Sequence, residues 1–107
     1  MVPVYDENNN IIAMVKYTTN LDYWDGKNYS SGGVGRHKGI TQLENGEYVL
    51  IFGTDWSGEK DWAKVISAER ALQEILASGN ISLLDEFPEI KELAEKTLIK
   101  ERQKKGE

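Results

Sequence analysis

The apolar pattern of this chain changes period once, at Ser67, and that change limits the fold more than any other feature of the sequence. Before it, short runs rich in valine, isoleucine, tyrosine and threonine alternate with clusters of asparagine, aspartate and glycine, the signature of strands joined by turns. After it, Ala68, Ala71, Leu72, Ile75 and Leu76 recur at the spacing of a single helix face. A sheet therefore comes first and helices follow, so each must find its covering surface in the other.

Val2–Tyr5 and Ile11–Thr18 flank "DENNN", whose residues tolerate turn geometry, and predict a hairpin. Asn45-Gly46 lies between "GITQLE" and "EYVLIFGT" and predicts a second hairpin closed by a two-residue loop. If Glu44 faces Glu47, Leu43 pairs with Tyr48, Thr41 with Leu50 and Gly39 with Phe52 on the core face, while Ile40–Ile51 and Gln42–Val49 share the other. A further strand follows "SGEK", over Asp61 to Ile66. Ser67 suits the N-cap of the first helix, Glu69 its positive end and Gly79 its termination. Pro88 suits the first position of a second helix with the stripe Ile90, Leu93, Ala94, Thr97 and Leu98. The expected architecture is α+β: an antiparallel β-meander of about five strands followed by two C-terminal helices packed on one face. One domain is expected over residues 1–100, with a frayed charged tail at 101–107 because no apolar residue follows Ile99.

Composition removes several classes of function. A chain of 107 residues with 39% apolar content closes one modest core. The net charge of −5 is spread along it, nine acids against six bases up to Ile66 and nine against seven afterwards, so no general attraction to DNA or to an anionic membrane surface is expected. No apolar run is long enough to span a bilayer. Without cysteine there is no disulfide, zinc-thiolate site or cysteine nucleophile, and with no leader-like start this points to a cytoplasmic protein.

The candidate site is the stretch "DYWDGKNYSSGGVGRHKG", Asp22 to Gly39, which has neither strand nor helix period. Its glycines fit neither phosphate-binding pattern and are read as turning a long loop back toward the sheet, with a nest for an isolated anion as the alternative. A P-loop needs glycine where His37 stands and serine or threonine where Gly39 stands, and a dinucleotide fingerprint needs a third glycine at Lys38 followed by a helix. "DENNN" starts like a calcium loop at Asp6, Asn8 and Asn10, but Ile11 occupies the sharp-turn glycine position and Tyr17 that of the bidentate glutamate. No metal and no cofactor are expected.

His37 is the single histidine, so any imidazole-based acid-base step must use it. Its available carboxylate partners are Asp22, Asp25, Asp55 and Asp61, with Ser30 or Ser31 as conceivable nucleophiles. Arg36 and Lys38, if they point the same way, would hold the ring neutral. This defines one reading, a small hydrolase or transferase with His37 as general base oriented by Asp25 or Asp55. A second reading is weak nucleic-acid binding through Lys27, Arg36 and Lys38 with stacking on Tyr23, Trp24 and Tyr29. The preferred reading is a small intracellular, non-catalytic binding or regulatory module. Its loop 22–38, with Tyr23, Trp24, Tyr29, Arg36, His37 and Lys38, and the nearby Trp56 present an aromatic and basic surface to a protein partner or to a second copy. A loop of about seventeen residues exceeds ordinary connection lengths, and its rings set it apart from disordered segments. Of the three tryptophans, Trp62 is assigned to packing, Trp24 to the loop surface and Trp56 to neither.

Overall fold

The computed structural model describes residues 1–22 and 36–105, with side chains described for all of these except Arg36 and residues 98–105. Five strands, β1 (Val2–Tyr5), β2 (Ile11–Val15), β3 (Arg36–Gln42), β4 (Tyr48–Thr54) and β5 (Trp62–Ile66), precede two helices, α1 (Ala68–Ser78) and α2 (Pro88–Lys105). A short 3-10 segment, Ile81–Asp85, joins the helices. The class is α+β as expected, but the strand order is β2-β1-β5-β4-β3 and the sheet is mixed. β1 runs parallel to β5, with Val4 beside Ala63, while the other neighbours are antiparallel. A pure meander would put β2 next to β3. Here they form opposite edges.

The first hairpin forms as its residues demand. The Asp6 carboxylate accepts the backbone N–H groups of Asn8 and Asn10, and Asn9 takes a positive φ of 63° that asparagine tolerates. This is a turn stabilised from within, not an ion loop. The second hairpin departs from expectation by one residue. Leu43 N–H donates to the Glu47 carbonyl and Gly46 N–H to the Leu43 carbonyl, and of the two central residues only Gly46 has positive φ, at 94°. The loop is therefore the three residues Glu44–Gly46, a tight turn followed by a left-handed glycine. Pairing becomes Ile40 with Leu50, Gly39 with Ile51, Thr41 with Val49 and Gln42 with Tyr48. The slip leaves Tyr48, Leu50 and Phe52 facing the helices, as expected for β4, but turns Thr41 and Gly39 of β3, and Leu43 just beyond it, to the opposite face.

Both faces of β4 are buried, which divides the core in two. On the helix side, Ile40, Tyr48 and Leu50 pack against Ala71, Leu72 and Ile75 of α1 and Ile90 and Ala94 of α2. Ser67 caps α1 by accepting the Arg70 N–H, and Gly79 ends it in the left-handed conformation. Leu76, counted in the helix stripe, is 52% exposed and lies at the margin of the contact, whereas Ser78 is buried and donates to the Ile75 carbonyl. α2 continues as helix to Lys105, beyond the last apolar residue of its stripe.

On the second face, Val2, Val4, Val15, Val49, Ile51 and Ala63 form a separate cluster. The chain after β2 crosses this face. Tyr17 lies on Gly53 and the Thr18 backbone on Gly39, so closely that a Cβ at either glycine would collide with the Tyr17 ring or the Thr18 carbonyl. These strand glycines exist for close approach. β2 therefore ends at Val15, not at Thr18, because the residues beyond it are needed as a strap. Rounding the sheet edge, the strap buries Leu21 in the helix-side core.

Candidate functional site

The strap meets the outer edge of β3 and satisfies it. Asn20 acts as a substitute strand residue, its side-chain amide accepting the Ile40 N–H at 2.8 Å and donating to the Ile40 carbonyl at 2.9 Å. Leu21 N–H donates to the Lys38 carbonyl, and one Asp22 oxygen accepts the Lys38 N–H at 3.0 Å. Asn80, just past α1, donates to the Asn20 carbonyl and ties the strap to the helical layer.

This arrangement delivers a carboxylate to His37. The second oxygen of Asp22 lies 2.6 Å from His37 Nδ1, and Asp55, at the end of β4, places an oxygen 2.9 Å from Nε2. Asp22 is largely buried, His37 is 30% exposed and Asp55 is 72% exposed, so the ring forms a bridge from an inner to an outer carboxylate. Both nitrogens can donate only in the imidazolium form; a neutral ring would set a lone pair against one of the two acids. The hydrogen bond to Asp55 and then that to Asp22 raise the His37 pKa above its ordinary 6.5, with burial opposing them. The condition on which Lys38 would help hold the ring neutral, that it point the same way, is not met. Lys38 turns its ammonium to Glu74 on α1, at 3.4 Å, and the carboxylates are what His37 meets.

Further acids gather at this end of the sheet. Asp61 accepts the Thr54 N–H, and Glu59 accepts the Thr54 hydroxyl at 2.6 Å, while that hydroxyl oxygen accepts the Trp56 N–H. Burial raises the Tyr17 pKa, and the charges of Asp61, Asp55 and Asp22 push it further. On α1, burial works to raise the Glu74 carboxyl, but Arg70 at 2.8 Å and Lys38 together outweigh it and leave its pKa lowered. Among the described side chains, His37 stands in a cluster of carboxylates.

Of the expected site residues, His37, Asp55, Lys38 and Trp56 come to this end of the sheet, with Trp56 55% exposed. Arg36 begins β3. Tyr23, Trp24, Asp25, Lys27 and Tyr29 lie outside the described residues, as do Ser30 and Ser31. Trp62 has both characters, stacking on Phe52 at 4.5 Å between ring centroids while 41% exposed. It forms one wall of a groove of about 810 Å³, with Met1, Pro3, Tyr5 and Thr54 along it and Glu59, Lys60 and Asp61 at its rim. Asn20 and Tyr17 were not singled out from sequence, because their partners are far along the chain and no local pattern marks them.

Among the described residues, no three His, Asp or Glu side chains are placed to hold a metal ion, and no helix is long and apolar enough to cross a membrane. No protein-family model, curated protein or solved structure matches the chain.

Proposed function

We propose that this chain is a non-catalytic binding module whose loop 22–38, together with Trp56, contacts a protein partner in the cytoplasm. The observation that carries this reading is the double clamp on His37. An imidazolium with a carboxylate on each nitrogen has no lone pair to accept a proton, so it serves as a brace and not as a general base. What it braces is the base of the long loop, through Asp22, and the turn that carries Trp56, through Asp55. A braced turn carrying an exposed tryptophan is the construction of an interface anchor.

The pairing of Lys38 with Glu74 weighs against a nucleic-acid surface, since the Lys38 charge that would neutralise phosphate is already engaged within the fold. The test is capture of partners from the native host's lysate by the wild type, by Trp56→Ala and by His37→Gln, each first shown to be folded. A defined protein retained by the wild type and lost with Trp56→Ala supports the reading. Retention that vanishes on nuclease treatment, or a catalytic activity that His37→Gln abolishes, would overturn it.

A further inference from the structure

Among the described residues, no segment covers the edge of the sheet opposite His37. β2 is the terminal strand, and among the described residues no backbone hydrogen bond leads from its outer side to another segment. Its residues are apolar and exposed: Ile11 at 59%, Ile12 at 46% and Met14 at 51%. It carries no proline and no charge within Ile11–Val15, and the one interruption in it is an irregularity at Ile12, where Val4 faces Ala13 and Tyr5 faces Ile11.

We infer that β2 pairs with β2 of a second copy of this chain, antiparallel about a two-fold axis at Ala13, to form one continuous ten-stranded sheet. Three features select a second copy as the occupant. The first is register: a two-fold at Ala13 sets Ile12 of each copy opposite Met14 of the other, so these exposed apolar residues cover each other. The second is charge. The Asp6–Asn10 turn bearing exposed Glu7 lies at one end of β2 and exposed Lys16 at the other, and antiparallel pairing brings each lysine beside the acidic turn of the partner. A parallel arrangement would instead place like charges together. The third is closure, since one symmetric contact uses up the open edge of both copies and leaves none to propagate.

This inference is independent of the binding-module reading, which concerns Trp56 and loop 22–38. Sedimentation velocity over a wide concentration range tests it, using wild type, Ile12→Lys/Met14→Lys, Glu7→Lys and Glu7→Lys/Lys16→Glu, each checked for native circular dichroism. The wild type should reach a dimer. The lysine pair, which sets like charges opposite one another, should return it to monomer, Glu7→Lys should weaken it at least tenfold and the charge swap should restore it. A wild type that stays monomeric at all concentrations, a dimer indifferent to the lysine pair, or a charge swap that fails to rescue would overturn the proposal.

Discussion

The two edges of this sheet meet the same physical demand in opposite ways. Each presents a row of backbone donors and acceptors that must be paired or left to water. At β3 the chain meets the demand itself: Asn20 substitutes for a strand, Asp22 takes the Lys38 N–H, and the strap is held down on Gly39 and Gly53. At β2, among the described residues, no segment pairs with the outer side, and the exposed side chains there are apolar. The closed edge lies beside His37 and the entry to the long loop, where a wandering strand would disturb the braced turn. The contrast teaches that edge sealing here is local and specific, made by three consecutive residues and not by a general excess of charge.

If the strap is what closes the β3 edge, the largest effect should come from lifting it. Gly39→Val would drive a side chain into the Thr18 backbone, which cannot move without tearing the strap from the edge. A loss of about 3 kcal/mol is expected from overpacking of this kind, read from urea unfolding followed by tryptophan fluorescence. Asn20→Ala should come next, at about 2 kcal/mol, because both polar groups of Ile40 lose their partner at a partly buried position. A value near zero would show that water replaces the amide and that the edge is not sealed.

A smaller effect is expected from the brace. Because the folded pKa of His37 is raised above 6.5, its contribution is fully present below that value and is lost as pH rises through the raised folded pKa. Melting temperature should therefore fall on that rise in the wild type more than in His37→Gln, and identical pH profiles would contradict a bridging imidazolium. Smallest of all, Met14→Lys on the open edge should change monomer stability by no more than about 0.5 kcal/mol, the usual result for an exposed site with no buried partner. A large loss there would mean that the β2 edge is part of the folded core and erase the contrast.

Local features of this fold were legible in the sequence. The caps at Ser67 and Gly79, the turn at Asp6–Asn10 and the change of period at Ser67 depend on residues a few positions apart, and they form as read. The Asn45-Gly46 turn was located correctly but given the wrong length, because the same dipeptide serves two- and three-residue loops and the choice moves the register by one. Long-range features were not legible. The β1–β5 parallel pair joins residues about sixty positions apart, and nothing local distinguishes it from a meander. For the site, the sequence singled out His37 and included Asp22 and Asp55 among its possible partners, but named Asp25 or Asp55 as the orienting acid and could not place Asp22 on the ring. Neighbours along a strand point to opposite faces, so Lys38 turns toward α1 while His37 turns toward the acids.

The central claim, that the chain seals one edge of its sheet and leaves the other open, is tested most directly by amide hydrogen exchange resolved residue by residue at low protein concentration. The account predicts that the Lys38 and Ile40 amides exchange slowly, at rates close to those of the β4 interior, while the outward amides of β2 exchange fast. Rapid exchange at Lys38 and Ile40, or protection at β2 equal to theirs in the monomer, would contradict it.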